Sequence, residues 1–152
     1  MAFETRVYNP DEVTISVGPV LISSGFADGE FMRVESEADT IGDVVGTDGE
    51  TAISRSNDRR ATVTISLLQT ALANQGLSVL SNLAAVSPNM VGAVVPFGAA
   101  DTNGTTIYAS ENSWVMKPPD ASFDRTAQSR EWPIRCAALV RNDGTNFTVG
   151  PG

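Results

Sequence analysis

The sequence has no histidine, a single cysteine and a single lysine among its 152 residues. Without histidine, the Ser-His-Asp and Cys-His arrangements of nucleophilic catalysis cannot form, and zinc sites with imidazole ligands are excluded. The lone Cys136 cannot form an internal disulfide bond, and its place in an alternating segment is typical of a small buried apolar residue. No glycine-rich phosphate loop followed by Lys-Ser or Lys-Thr is present. We therefore predict a protein that is not an enzyme and binds no cofactor.

Basic residues are scarce, which limits the class of partner. Ten Lys and Arg against 18 Asp and Glu give a net charge of −8, whereas binding nucleic acid through its phosphates needs clustered cations. No apolar run approaches the roughly 20 residues that span a bilayer, and the N-terminal sequence lacks the apolar core of a signal peptide. We expect a soluble protein, assembled in the cytosol, with no membrane partner.

One strand that runs into one helix is the clearest pattern in the chain. Residues 61–67 alternate apolar side chains with hydroxyls, which is the period-two pattern of a half-buried strand, and we expect this strand to be central. The helix is predicted to end before Pro88 and to begin near Thr70 or at an Asn74 cap, because Gly76 costs about 1 kcal/mol relative to alanine. Its predicted apolar face comprises Leu72, Leu77, Leu80, Leu83 and Ala84.

Further strands are predicted on both sides of this unit. Apolar alternation marks residues 13–17, 31–37 and 134–140. An edge or irregular strand is expected over residues 91–97, because Gly92 and Pro96 interrupt that apolar run. Shorter extended segments are predicted at residues 20–22, 105–109, 114–116 and 146–149.

Turn signals separate these strands and define the fold class. Asp-Gly and Asn-Gly pairs favour tight turns because glycine tolerates a positive φ. Six to eight strands with one helix predict a mainly β fold, an antiparallel β-sandwich or barrel with one flanking α-helix. A chain of this length fits one domain, so residues 1–152 are expected to fold together. The predicted turns are Tyr8–Asp11, Asp28-Gly29, Asp101–Gly104 and Asn142–Gly144.

Acidic residues concentrate between Asp28 and Glu50. Eight acids and one base, Arg33, give this segment a net charge of −7. We expect a long acidic loop around residues 38–58, and a loop of this length in a compact domain is more often functional than not. Its Asp-Gly-Glu turns lack the alternating acidic ligands of an EF-hand loop, so no metal site is predicted.

Several blocks, in order along the chain, resemble the tail tube proteins of contractile-tailed bacteriophages. The most specific block is the central one, Arg55–Ile65, which reads Arg-Ser-Asn-Asp-Arg-Arg-Ala-Thr-Val-Thr-Ile. The other matching blocks are Tyr8–Pro10, Val13–Gly18, Gly25–Phe31, Val45–Glu50 and Arg130–Trp132.

This resemblance implies a fold and a function. Such proteins resemble the inner tubes of pyocins and type VI secretion systems: a β-sandwich with one flanking helix, closed into hexameric rings that stack into a hollow tube. By resemblance, the copies would conduct DNA during ejection, inside a tail sheath. The implied partners are the sheath protein, the tape measure protein inside the tube, and the baseplate and tail terminator at its ends.

Charged residues near the central block are the candidate contacts between subunits or rings. Within one subunit they would form exposed ion pairs, worth about 0 to 1 kcal/mol each. Between stacked rings, arginine can bind carboxylate with two hydrogen bonds, and the contact repeats around the symmetry axis. The acids on the charged face of the third strand, or those just after it, are candidates to face the lumen, because a negative wall would not retain DNA. The contact candidates are Asp39, Asp43, Asp48, Glu50, Arg55, Arg59 and Arg60, and the lumen candidates are Glu35 and Glu37.

A second function class stays open from the sequence. A small β-sandwich that binds carbohydrate or calcium would use exposed aromatic rings and the acidic turns. Its candidate residues are Tyr8, Trp114 and Trp132.

Overall fold

The structure is a computed structural model that describes residues 5–7, 13–27, 29–87, 92–101, 106–121, 123, 125–126, 128–142 and 148–150. These residues form twelve strands and one helix. The strands are β1 (Thr5–Val7), β2 (Val13–Val17), β3 (Val20–Ile22), β4 (Met32–Ser36), β5 (Ile41–Val45), β6 (Thr51–Arg55), β7 (Ala61–Leu68), β8 (Val95–Asp101), β9 (Ile107–Val115), β10 (Ser129–Cys136), β11 (Val140–Asn142) and β12 (Thr148–Gly150), and the helix is α1 (Ala73–Val86).

Eight of the strands form one antiparallel sheet. Its order is β3-β2-β8-β9-β10-β7-β4, and β11 also pairs with β9. Two further pairs, β1 with β12 and β5 with β6, form separate two-stranded sheets. The predicted fold class, mainly β and antiparallel with one helix, is confirmed.

Alternation along β7 builds the core. Ala61, Val63, Ile65 and Leu67 are buried, while the hydroxyl side chains between them lie on the opposite face. The strand pairs with β10 on one side and β4 on the other, so the prediction of a strand flanked on both sides is confirmed. The same core cluster contains the inward side chains of β2, β8 and β10 and the helix residues Leu77 and Leu80.

Asn74 does not cap the helix. The cap position is Leu72, which makes no side-chain cap hydrogen bond and is 88% exposed, so its place on the predicted apolar face was wrong. Asn74 lies in the first turn with its side chain buried. Its Nδ2 donates to the Leu68 carbonyl at 2.8 Å, and its Oδ1 accepts from Trp132 Nε1 at 2.8 Å. The amide of Asn74 therefore joins the helix to β7 and β10. Buried polar groups need hydrogen-bond partners, and these two bonds satisfy the amide of Asn74 and the indole N–H of Trp132.

Gly76 allows the helix to approach β3 closely. A Cβ at this position would lie 2.8 Å from Val20 Cγ2, a separation that real side chains do not adopt. The cost of glycine inside a helix is thus offset by packing against the edge of the sheet.

The predicted hairpin turn at Asp28-Gly29 was wrong. Phe26 bridges to Leu67 and Met32 pairs with Ile65, so the chain runs in one direction along β7 before and after this point. The chain does not reverse here, and β3 and β4 lie at opposite ends of the strand order. Asp28 itself lies outside the described residues, while Gly29 has the positive φ, 87°, that the sequence indicated.

The segment predicted as an edge or irregular strand is irregular, but it is interior to the sheet. In the structure β8 pairs with β2 and β9. Pro96 is tolerated there because the register with β9 shifts between Val95 and Phe97, and prolines within sheets occur at such irregularities. Its carbonyl accepts a hydrogen bond from Gly18 N at 2.7 Å. Val91 lies outside the described residues.

The strand predicted over residues 134–140 has different limits. It begins earlier, at Ser129, and ends at Cys136. Ala138 and Val140, predicted to share the buried face, are exposed, because the turn after Cys136 shifts the alternation and buries Leu139 instead. The segments predicted at 105–109 and 114–116 are joined in one nine-residue strand, β9. The turn residues 8–11, 102–104 and 143–144, and residues 105 and 146–147 of the predicted strands, lie outside the described residues.

Candidate assembly surfaces

The central part of the acidic segment is a β-hairpin, made of β5 and β6. Its five-residue turn is closed by Gly46 N, which donates to the Glu50 carbonyl at 2.7 Å, and Asp48 Oδ1 accepts from Glu50 N at 3.2 Å. Neither strand belongs to the eight-stranded sheet. The sequence predicted a long acidic loop around residues 38–58, because neither strand alternates clearly between apolar and polar residues.

This hairpin exposes large apolar side chains. All residues of β6 are exposed, including Ile53 at 74%, and so are Ile41, Val44 and Val45 of β5. A two-stranded hairpin without a covered face is at best marginally stable in water. The pairing places Ile41, Val45 and Ile53 on one face together with Asp43 and Arg55, and places Val44 on the other face. Both faces therefore leave large apolar side chains in solvent, which is typical of an interaction site.

Five of the predicted contact residues lie on or beside the hairpin. Asp43 is paired across from Ile53, and Arg55 is paired across from Ile41 at the base. All five are exposed: Asp48 and Glu50 lie in the turn, whereas Asp39 and Arg55 lie at the base of the hairpin. The five are Asp39, Asp43, Asp48, Glu50 and Arg55.

Arg59 and Arg60 differ in their surroundings. Arg60 binds Asp58 through two side-chain hydrogen bonds of 2.9 Å, and its backbone N also donates to Asp58 Oδ1 at 3.1 Å. The side-chain hydrogen bond from Arg60, followed by the backbone one, lowers the pKa of Asp58 to about 2. Arg59 is exposed, and none of the described residues forms an ion pair with it. Both arginines were predicted as contact residues of the same kind. The Asp58-x-Arg60 spacing, typical of an Asx turn, is the local signal that Arg60 pairs with Asp58.

Both lumen candidates lie beside arginines. Glu35 lies on the face of β4 opposite the core, and its Oε1 is 3.0 Å from Arg33 Nε. Glu37 accepts a hydrogen bond from the Thr62 hydroxyl and lies 3.6 Å from Arg135 Nη2. The negative charge of this face is therefore partly balanced.

The aromatic residues of the alternative binding module are not presented together. Trp132 is 1% exposed and belongs to the core, so it cannot stack on a sugar. Trp114 is half-buried on the opposite face of the sheet, and Tyr8 lies outside the described residues. Within the described part of the chain, no group of three or more acidic or cysteine residues could hold a metal ion. In that same part, no helix has the length and apolarity needed to cross a membrane.

Comparisons with known proteins agree with this architecture. The family described as bacteriophage PhiTE tail tube protein matches residues 13–143. Structural protein ORF10 of Pseudomonas phage KPP10 is 27% identical over 157 residues, which cover 99% of this chain and 90% of that protein.

Two solved structures share the fold. A chain from the virion of a native gene transfer agent particle superposes with a TM-score of 0.58 at 15% identity, and the match covers 90% of this chain and 99% of that chain. A chain from the anti-feeding prophage cap, which terminates a tube, superposes with a TM-score of 0.57 at 8% identity and covers 93% and 94%. At these identities the likeness extends to the fold alone.

Proposed function

This chain belongs to the bacteriophage PhiTE tail tube protein family, as its motifs predicted, and from this premise we propose that its copies form stacked hexameric rings whose lumen conducts DNA during ejection. Membership makes the chain a structural component of a phage tail.

The exposed hairpin is the observation that supports self-assembly. Among the described residues neither of its strands pairs with the eight-stranded sheet, and its apolar side chains are exposed, so an isolated subunit leaves them in water. The sheet order also ends at β3 and β4, which have one hydrogen-bonded neighbour each among the described residues. Such edges promote uncontrolled pairing unless they are covered, and closure into a ring covers them.

Electron microscopy and analytical ultracentrifugation of the purified protein test the proposal together. We expect rings or tubes of variable length, with six subunits in each ring. A stable monomer at high protein concentration, with no larger species, would contradict it.

The remaining partners follow from the position of such a tube. We propose a tail sheath outside it, the tape measure protein and then DNA inside it, and a baseplate and tail terminator at its ends, with assembly in the host cytoplasm. The net charge of −8 supports a wall that does not retain DNA, since every phosphate neutralised by Lys or Arg adds affinity.

Reversal of Glu35 tests which face lines the lumen. If Glu35 faces the bore, Glu35→Lys places a new cation beside Arg33 and should slow genome ejection several-fold, because the local charge becomes positive. Ejection is measured as the rate of DNA release from phage particles carrying the variant. Tube assembly should be retained, because Glu35 is exposed.

Glu37→Lys is the less selective variant, because it also removes the hydrogen bond from Thr62. Ejection kinetics unchanged by Glu35→Lys would argue that this face of β4 does not line the bore.

Reversal of Arg59 tests the proposed contact between rings. The exposed Arg59 can meet the acids of a hairpin in the next ring, and six contacts of about 0 to 1 kcal/mol each sum to several kcal/mol. Arg59→Glu should therefore shorten tubes and make them more sensitive to salt, with little change in the melting temperature of the subunit. Tube length is measured by electron microscopy, and adding Asp48→Arg should partly restore it.

Arg60→Glu is the matched control. Because Arg60 binds Asp58 in the same subunit, its reversal should lower the melting temperature by placing two carboxylates together. If Arg59→Glu unfolds the subunit as well, the contact between rings is not made by this residue.

A further inference from the structure

The β5–β6 hairpin is joined to the eight-stranded sheet by two short segments, residues 37–40 and 56–60. Among the described residues, neither hairpin strand pairs with a strand of that sheet. The direction in which the hairpin leaves the sheet therefore depends on the contacts that these two segments make. We call the two segments the hairpin base.

Two backbone hydrogen bonds pair the segments of the hairpin base with each other. Glu37 N donates to the Arg60 carbonyl at 3.0 Å and extends the β4–β7 ladder by one step, and Ser56 N donates to the Thr40 carbonyl at 2.8 Å. A two-stranded ribbon twists more than a wide sheet does. These bonds alone therefore do not fix how the hairpin is turned relative to the sheet.

The side chain of Glu37 ties the hairpin base to β7 and β10. Its Oε1 accepts a hydrogen bond from the Thr62 hydroxyl of β7 and lies 3.6 Å from Arg135 Nη2 of β10. The side chain thus turns back over the face of the sheet opposite the core. The ion pair is partly buried, with 31% of the Glu37 side chain and 20% of the Arg135 side chain exposed. Water and dissolved ions screen such a pair less than an exposed one, so the contact retains more of its strength in solution.

Arg135 is a firmly placed anchor for this carboxylate. It lies on the interior strand β10, across from Thr62 of β7 and from Trp114 of β9. Its Nε is buried and has no hydrogen-bond partner within the described part of the chain, where Glu37 is the acid that forms an ion pair with it. A cation shielded from water needs such a partner. The central strands of the sheet therefore hold the hairpin base through Glu37.

We propose that Glu37 is a positioning residue for assembly. Held by Thr62 and Arg135, its carboxylate fixes the direction in which the β5–β6 hairpin leaves the sheet, so every copy presents the hairpin to its neighbour in the same orientation. The inference rests on the proposed function, since this orientation matters where copies assemble. A surface that is oriented before contact loses less freedom on binding, which raises affinity without an added contact.

Distances within the dispersed subunit test the positioning directly. Spin labels are attached at Asp48→Cys, in the turn of the hairpin, and at Glu131→Cys, an exposed position of β10. Pulsed electron paramagnetic resonance then gives the distribution of distances between the labels. The native Cys136 stays unlabelled, because burial raises the pKa of its thiol to about 11. We expect one narrow distribution when Glu37 is present and a distribution at least twice as wide in Glu37→Ala.

Glu35→Ala is the matched control. Glu35 is the neighbouring acid on the same face, and its ion pair with Arg33 lies within β4. Its removal should leave the width of the distribution unchanged, and a thermal melt verifies the fold of each variant. A width in Glu37→Ala equal to that of the native protein would overturn the proposal.

Two further variants address the same contact with smaller changes. Thr62→Val removes the donated hydrogen bond while keeping the branched shape of the side chain, and it should also widen the distribution. Glu37→Gln keeps an oxygen that accepts from Thr62 but loses the charge that attracts Arg135. Its distribution should be narrower than that of Glu37→Ala, which a merely structural role of the residue does not require.

Tube formation by the unlabelled variants connects the orientation to assembly. Glu37→Ala should raise the lowest protein concentration that yields tubes at least tenfold, and Glu37→Gln should recover part of this loss. Lost tubes with a narrow distribution would mean that Glu37 acts in the contact itself, and normal tubes with a wide distribution would mean that assembly needs no fixed hairpin; either result overturns the proposal. No tubes from the native protein would overturn the proposed function and the role in assembly with it, while the widths would still show whether Glu37 orients the hairpin.

Discussion

Trp132→Ala is expected to lower the free energy of unfolding by about 3 to 5 kcal/mol, which is the usual cost of removing a large aromatic side chain from a core. Trp132 is the largest of the fully buried side chains. Its indole N–H also satisfies Asn74, so the variant leaves a cavity and an amide oxygen without its donor. Urea denaturation at a protein concentration that keeps the subunits dispersed measures the change.

Trp114→Ala is the matched control, because Trp114 is the other tryptophan and lies half-buried on the opposite face of the sheet. Trp114→Ala should lower the free energy of unfolding clearly less than Trp132→Ala does. A double-mutant cycle with Trp132→Phe and Asn74→Ala should show coupling, since either change removes the same hydrogen bond. Equal losses for the two tryptophans, or strict additivity in the cycle, would contradict this account of the core.

Ile53→Asp is expected to abolish tube formation without unfolding the subunit. In the isolated chain this side chain is 74% exposed, so a carboxylate there is solvated and the melting temperature should change little. In an assembly that covers this face, the new carboxylate would be buried directly across from Asp43, and burying two like charges together costs several kcal/mol at every repeated contact. Sedimentation and electron microscopy measure the loss of tubes, and a thermal melt measures the fold.

Ser54→Asp places the same charge on the neighbouring residue, whose side chain lies on the other face of the hairpin. We expect this variant to assemble far better than Ile53→Asp. Tubes of normal length from Ile53→Asp would show that the face of the hairpin that carries Ile53 stays in solvent.

Features set by local periodicity were predictable from the sequence. The alternation of β2 and β7 follows from one buried face, and the end of α1 before Pro88 follows from the chemistry of proline. The resemblance of several sequence blocks identified the family correctly, because these blocks extend over most of the chain. The β5–β6 hairpin could not be predicted in this way, since a ribbon with no face against the core needs no alternation of apolar and polar residues.

Features set by distant partners were not predictable. Asn74 has the side chain of a helix cap, but its partner Trp132 lies 58 residues away and turns it inward. The Asp28-Gly29 pair indicated a positive φ at glycine, yet φ at one residue does not decide whether the chain reverses or continues along β7. Arg60 differs from Arg59 only because Asp58 lies two positions before it and binds it. This difference could not be seen while the arginines were considered as one cluster.

The isolation of the β5–β6 hairpin from the core affects how an assembly begins. A ribbon with little stability of its own loses conformational entropy when a neighbour orders it. Two free subunits that associate would lose this conformational entropy and gain only one contact with each other. A copy that joins an existing end gains contacts to several subunits at the same moment. In an assembly built on this hairpin, elongation is therefore favoured over spontaneous nucleation, and the subunits are expected to form few, long polymers from a pool of free protein.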